Sequence, residues 1–272
     1  MSRPAACAAA LLLLPVLVAG QPAAAPPGVQ SQLVFLEKAR VTDTRPIGKG
    51  ITGALRVTLS DGARTHDAAF QSVAEENSAA NRARGRKRAG EVDFVDHYRY
   101  NIAAWRLASL LGLASMMPAT IERTIGGRPG ALSWWVDDVL MDEAERERRN
   151  AAPPSPLALV RQRQRMDLFA QLVRDTDRNK GNVIYTTRWD LVMLDFTRAF
   201  RLQPELRTPE SLAVVDRTLL ARLRTLKAEE VARAAGEYLT AAEVEAVIAR
   251  RARIVERFDR LIAERGAASV LY

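Results

Sequence analysis

The residues best spaced to do chemistry lie in Asp175–Thr176–Asp177–Arg178–Asn179–Lys180–Gly181–Asn182 and, after two short apolar runs, at Asp195. Val183–Ile184–Tyr185 and Leu191–Val192–Met193–Leu194 read as two strands of a hairpin that turns through Thr186 to Trp189. Antiparallel pairing sets Val183 roughly opposite Leu194, so that Asn182 and Asp195 become neighbours at the hairpin's open end. One amide oxygen and one carboxylate there suit a hard cation, Mg²⁺ (or Mn²⁺), that keeps several of its waters. Asp177 on the preceding loop reaches the same cavity as a base or orienting carboxylate, and Lys180 stands ready to neutralise a transferred phosphoryl group. These are the parts that phosphoryl transfer needs, because that chemistry depends mainly on positioning and on charge stabilisation.

The same loop has a plainer reading. Asp175, Asp177 and Asn179 match the first three ligand positions of an EF-hand-like loop, which makes a calcium-stapled, non-enzymatic loop an alternative. The match then fails, since Lys180 stands where the glycine belongs and Thr186 where the bidentate glutamate belongs.

Asp177–Arg178–x–x–x–Asn182, followed by Leu194–Asp195–Phe196–x–x–Ala199–Phe200, resembles the catalytic loop and metal-binding motif of atypical kinases. Those are the phosphatidylinositol 3/4-kinase-like, HipA-like and secreted Golgi-kinase families. The resemblance rests on about twenty-five residues, and the two motifs are informative as a pair and weak singly. It implies a bilobal α+β fold, ATP as cofactor, Asp177 as the catalytic aspartate, and Asn182 and Asp195 as metal ligands.

The N-terminal half supplies several further kinase parts and departs at others. Gly48–Lys49–Gly50–Ile51–Thr52–Gly53 is a G-x-G-x-x-G between strand-like segments, the arrangement that covers ATP phosphates in kinases. An ordinary glycine-rich hairpin is the bland reading of that loop. Trp134–Trp135–Val136–Asp137–Asp138 falls where the last strand runs into the hinge that holds adenine. Kinases carry a lysine on the strand after the glycine loop, paired with a glutamate on the next helix. Here Gln71 and Asn101 fall at those positions, two neutral amides able to hydrogen-bond each other without leaving a lone buried charge. Lys49 or Arg56 is then the candidate to restore the missing positive contact to the nucleotide. A pseudokinase, which binds nucleotide or partners without turnover, is the alternative those amides favour.

The elements that must hold these residues divide into a strand-rich half with one helix and a helix-rich half. Leu33–Val34–Phe35–Leu36, Ala54–Leu59 and His66–Val73 read as strands, and Tyr98–Leu113 as an amphipathic helix. Ala119–Ile125 and Ala131–Val136 flank Gly126–Gly127 as a hairpin. Glu143–Arg149 and Leu157–Arg174 read as helices separated by the Pro153–Pro154–Ser155–Pro156 run, the candidate lobe boundary. Thr240–Ala241–Ala242–Glu243 has capping-box spacing ahead of a further apolar-striped helix. The expected organisation is a leader over residues 1–25, an N-lobe over 31–150 and a C-lobe over 157–272.

Residues 1–25 read as a cleaved secretory signal, with Arg3, an apolar stretch from Ala5 to Gly20, and a small-residue region after it. The expected location is therefore periplasmic or secreted, with an uncleaved membrane anchor as the alternative. Cys7, the only cysteine, sits in that segment, so the remainder has neither disulfide nor thiol chemistry. A net charge of +8 favours anionic partners: a nucleotide, an acidic protein or an anionic membrane surface. Arg82–Arg88 is a short basic patch without interleaved aromatics, read as solvated surface in preference to a nucleic-acid contact. The acceptor class (protein hydroxyl, lipid or sugar head group, small molecule) is not written in these motifs. His66 and His97, the only histidines, lie apart from any ligand cluster, and no G-x-S-x-G elbow or zinc-ligand spacing occurs.

Overall fold

The computed structural model describes residues 28–48, 53–76 and 94–272. The expected leader, Lys49 and Gly50 of the glycine loop, and the Arg82–Arg88 patch lie outside those residues. Helix α1 (Val29–Lys38) opens the chain, followed by β1 (Arg40–Pro46), β2 (Leu55–Ser60) and β3 (Thr65–Gln71). Two short strands, β4 (Ala74–Glu76) and β5 (Val95–His97), pair with each other ahead of α2 (Arg99–Leu110). The hairpin β6 (Thr120–Ile125) and β7 (Arg128–Trp134) completes an antiparallel five-stranded sheet in the order β1-β2-β3-β7-β6.

Sequence alternation decides which face of this sheet is buried. In β2 and β3, Val57, Leu59, Ala68 and Phe70 point into the core, while Arg56, Thr58 and Asp67 share the other face. Gly126 and Gly127 both have positive φ, 58° and 75°, as a two-residue turn matched to strand twist requires. The apolar run Leu33–Leu36 is not a strand. It lies inside α1, where Phe35 and Leu36 are buried and Phe35 meets Trp134 edge-on at 5.7 Å. Four consecutive apolar residues carry no period of their own, so the tertiary contact decides. Arg123 on β6 then satisfies carbonyls at the helix end, donating to Leu36 O and Ala39 O at 2.6 Å each.

The second half starts earlier than the proline run. Strand β8 (Val139–Asp142) joins β9 (Val183–Thr186) and β10 (Leu191–Met193) in a separate three-stranded sheet, order β10-β9-β8. Helix α3 (Glu143–Arg149) follows β8 directly and packs on β9 and the turn before it. The boundary expected near residue 150 therefore moves to the 135–138 connection, because the pairing of β8 with β9 outweighs the helix-breaking prolines. Those prolines have a local role: Ser155 caps α4 (Pro156–Val173), with Pro156 in its first turn. Helices α5 (Arg217–Thr225), α6 (Ala228–Ala235), α7 (Ala241–Arg265) and α8 (Ala267–Val270) complete this half. The fold is thus α+β, antiparallel sheet first and helices second. Among the described residues no helix is long and apolar enough to cross a membrane.

Two polar anchors tie helix α7 to the helices and loop around it. Thr240 and Glu243 form the expected capping box of α7, and the same Glu243 carboxylate also accepts from the Tyr100 hydroxyl on α2. Arg250, with no exposed surface, donates to Leu172 O at 2.7 Å, Arg201 O at 2.7 Å and Gln203 O at 2.8 Å. Burial, with Arg174 nearby, pulls its pKa down to about 10, which leaves the guanidinium charged at neutral pH.

Glu143, the first residue of α3, is almost wholly buried and accepts from Arg146, Arg163 and the Tyr185 hydroxyl. Burial alone would raise its pKa, but those hydrogen bonds outweigh it and hold the carboxyl at about 2. The unfolded chain takes up that proton near 4.5, so this contribution to stability is complete above pH 4.5 and is lost as pH falls toward 2. Urea midpoints followed against pH should show Glu143→Gln much less stable than the parent chain above pH 4.5, with the gap closing toward pH 2.

Candidate functional site

The loop that follows α4 is built on a buried carboxylate. Helix α4 ends as Arg174 turns left-handed, φ 46°, and Asp175 enters the interior with its side chain fully buried. Asp175 Oδ1 accepts from the Asp177 backbone N–H at 2.9 Å, and Oδ2 from Arg178 Nε at 2.7 Å. Asn179 caps a single 3₁₀ turn over Lys180–Asn182 by accepting from Gly181 N at 2.9 Å. Each oxygen of Asp175 thus accepts a bond from within the loop.

Arg178 joins that loop to the end of β10. Its Nη1 donates to Asn182 O at 3.0 Å and Leu194 O at 2.7 Å, and its Nη2 to Asp195 O at 2.5 Å. The guanidinium also lies over the Phe196 ring, 4.3 Å from the centroid. Strand register pairs Val183 with Met193, and Leu194 N then donates to Asn182 O at 2.9 Å. The pairing is one residue from the expected Val183–Leu194 register, because the turn closes on Tyr185 and Leu191. Asn182 and Asp195 still flank the open end of the hairpin.

Both side chains face a cavity of about 950 Å³ between the two halves, and Asp177 lines it too. Asn182 Nδ2 donates to Asp177 O at 3.0 Å, which leaves its Oδ1 as the unused acceptor. Asp195 adopts φ +54°, a left-handed conformation that aspartate tolerates better than most residues. Its Oδ1 accepts from Thr197 N at 3.2 Å and Thr197 Oγ1 at 2.8 Å. Asp195 Oδ2 has one long contact, 3.4 Å from Gln71 Nε2. Among the described residues no three His, Cys, Asp or Glu side chains converge as a metal cluster. The donors available are therefore Asp195 Oδ2 and Asn182 Oδ1, which fit a cation that takes a few protein oxygens and completes its shell with water and phosphate.

Gln71 and Asn101 form the hydrogen bond their spacing suggests. Asn101 Nδ2 donates to Gln71 Oε1 at 2.5 Å, and Asn101 Oδ1 accepts from Phe196 N at 2.6 Å. A chain of neutral amides thus runs from β3 through α2 to the backbone beside Asp195.

The remaining expected residues are distributed differently. Lys180 turns away from the cleft, pairs with Glu147 on α3 and lines a second cavity of about 370 Å³ behind the loop. Arg56 gives both Nε and Nη2 to Asp67 at 2.5 Å and lies over Trp135 at 4.2 Å, so its charge is matched within the sheet. Although burial works against it, hydrogen bonds from Thr58 and Arg56 lower the pKa of Asp67. Gly48 and Gly53 bracket the undescribed part of the glycine loop, and Ile47 and Ala54 beside them line the cavity. Gly53 has φ +66° with no heavy atom within 4 Å of where a Cβ would sit, so only its backbone conformation demands glycine. Trp134 is core, stacked on His66 at 3.6 Å, and both tryptophans also line the cavity. Arg198, three residues beyond Asp195, was not singled out by the motif, yet its Nη1 lies 3.5 Å from Asp177 Oδ2.

No family model matches the chain, and no curated protein matches it. Among solved structures, the crystal structure of the Helicobacter pylori proinflammatory kinase CtkA superposes with a TM-score of 0.54. The alignment covers 85% of this chain and 97% of that one, at 8% sequence identity. At that identity the likeness is one of fold, and it makes the architecture described above kinase-like.

The Arg178 clamp carries a stability consequence. Arg178→Ala leaves the buried Asp175 carboxylate without its counter-charge and three carbonyls without their shared donor. Denaturant unfolding should register a loss of about 3 kcal/mol or more. Arg178→Lys should recover only part of it, since one ammonium cannot span the donor fork.

Proposed function

We propose that the chain is an ATP- and metal-dependent phosphotransferase of the atypical kinase type. The observation that carries this reading is the convergence of Asp177, Asn182 and Asp195 on one cavity between a sheet-rich and a helical half. Mg²⁺ or Mn²⁺ held by Asn182 Oδ1 and Asp195 would supply charge neutralisation for the nucleotide phosphates. The chain's own residues do the rest. Asp177, with its side chain 40% exposed to the cleft, accepts the proton of an acceptor hydroxyl. The acceptor oxygen bonds to the terminal phosphorus, the bond to the bridging oxygen breaks, and a nucleoside diphosphate leaves carrying that oxygen. Ala69, Met193 and Ile184 offer apolar surface within the cavity for a base, and the tryptophans beside the 135–138 connection bound its far end.

The acceptor belongs to no class the cleft itself selects, whether protein hydroxyl, lipid head group or small molecule. The positive net charge supports an anionic partner, and the N-terminal segment supports export, to the periplasm or beyond. A second reading, a pseudokinase, is favoured by one observation. The Gln71–Asn101 pair that replaces a lysine–glutamate pair carries no charge toward the phosphates.

Thermal shift with ATP and Mg²⁺ tests the reading. Stabilisation should appear only with both present, reaching about 2.7 kcal/mol at a ligand concentration a hundred times Kd. Asp195→Ala should abolish it, whereas Asp177→Ala should keep binding and lose phosphate transfer. Stabilisation by Ca²⁺ alone would point back to a stapled loop, and binding by the parent chain without transfer would identify the pseudokinase.

A further inference from the structure

We propose that the cavity of about 370 Å³ behind the Asp175–Asn182 loop binds a free amino acid, its ammonium on Asp167 and its carboxylate on Arg207. The inference goes beyond the phosphotransferase reading and does not depend on it, since the two cavities have only Asn179 in common among their lining residues.

The charges around this cavity are matched, with one exception of each sign. Glu147 is paired with Lys180, and Asp175 with Arg178. Glu143 accepts from Arg146, Arg163 and the Tyr185 hydroxyl. That leaves one carboxylate, Asp167, with neither hydrogen bond nor ion pair among the described residues. It also leaves one cation, Arg207, with no carboxylate partner among them.

Helix α4 explains why Asp167 is stranded. Arg163, Asp167 and Gln171 follow one another at four-residue spacing, on one face toward the cavity. Arg163, a turn before, is spent on Glu143 at 2.5 Å and on the Tyr185 hydroxyl at 2.9 Å. Gln171, a turn after, accepts from Arg207 N at 2.7 Å and donates to Thr208. Neither bonds the carboxylate between them. Asp167 is half-buried, and that burial raises its pKa despite the charge of Arg163 nearby. Such a carboxylate gains more from an arriving ammonium than an exposed one would, because part of its desolvation is already complete.

Arg207 supplies the opposite pole. Its Nη1 donates to Asp175 O at 2.6 Å, which anchors the side chain at the cavity wall and leaves the rest of the fork for a second acceptor. The Gln171 bond to its backbone sets it one helical turn farther along α4 than Asp167. Two opposite charges that do not meet each other match a ligand that carries both. Met166, Ala170 and Val183 give apolar surface for its side chain.

Thermal shift of the full chain with each protein amino acid in turn, at millimolar concentration, tests the site. At least one with an apolar side chain should stabilise the chain, and calorimetry then gives its affinity. Asp167→Asn and Arg207→Gln should each weaken that affinity roughly tenfold or more. Because Asp167→Asn takes no hydrogen bond from a partner, the empty variant should be at least as stable as the parent. The amine that lacks only the carboxylate should bind the parent chain as weakly as the amino acid binds Arg207→Gln. No response to any amino acid, or a full response in Asp167→Asn, would overturn the site. Equal binding of the bare amine would overturn the pairing with Arg207, and the zwitterion with it. Asp195→Ala, which acts in the nucleotide cleft, should leave the response unchanged; its loss there would put the ligand in the other cavity and overturn the assignment.

Discussion

One guanidinium organises the site. Arg178 is fixed at one end by the fully buried Asp175 and donates at the other to the carbonyls of Asn182, Leu194 and Asp195. The Asp175–Asn182 loop and the strand end are separated in sequence by a whole hairpin, and this fork sets their distance. A charge so placed must have its partner, because an uncompensated ion at that depth costs several kcal/mol. Asp175 therefore acts as a positioning group, accepting from the Asp177 backbone and from Arg178 Nε. The left-handed Asp195 depends on the same fork, since its carbonyl bonds to Arg178 while its carboxylate turns to the cleft.

The helical half supports that loop from behind through a second buried arginine. Arg250 holds the carbonyl of Leu172, at the end of the helix that delivers Asp175, and those of Arg201 and Gln203 beyond the Asp195 motif. Glu243, seven residues earlier on the same helix, reaches Tyr100 on α2, whose neighbour Asn101 bonds to Phe196 N. Helix α7 is thereby connected both to the helix end that delivers Asp175 and to the helix that carries the amide relay. The site is set by a few charge-assisted bonds to backbone, a sturdier arrangement than one resting on side-chain pairs at the surface.

Much of this was legible in the sequence, for physical reasons that differ from part to part. The hairpin after Asn182 was readable because both strands are short, apolar and bounded by turn residues. Gln71 and Asn101 were readable as a pair because both sit at positions fixed by a strand and a helix of clear period. Leu33–Leu36 was misread because a four-residue apolar run serves a helix face or a strand equally well until Trp134 is placed against it. The lobe boundary was misplaced because prolines announce only a break in a helix, whereas β8 is claimed by β9 through long-range pairing that no local pattern records. Lys180 looked catalytic by proximity in sequence, but the capped 3₁₀ turn rotates it toward Glu147. Arg198 had no signal beyond its place three residues after Asp195, and only the fold brings it to Asp177.

The neutral relay has a consequence for the electrostatics of the whole cleft. A lysine–glutamate pair at positions 71 and 101 would add no net charge, but it would place a positive end toward the phosphates. Two amides hold the same elements together, since Asn101 both donates to Gln71 and accepts from Phe196 N, yet they leave the carboxylates of the cleft unopposed from that side. The arrangement also makes the relay insensitive to an empty site, because uncharged amides paired with each other need no ligand to be satisfied. A charged pair would tie the positions of β3 and α2 to the presence of phosphate. The amides separate those two properties, so β3 and α2 are held to each other and to the Phe196 backbone without a charge.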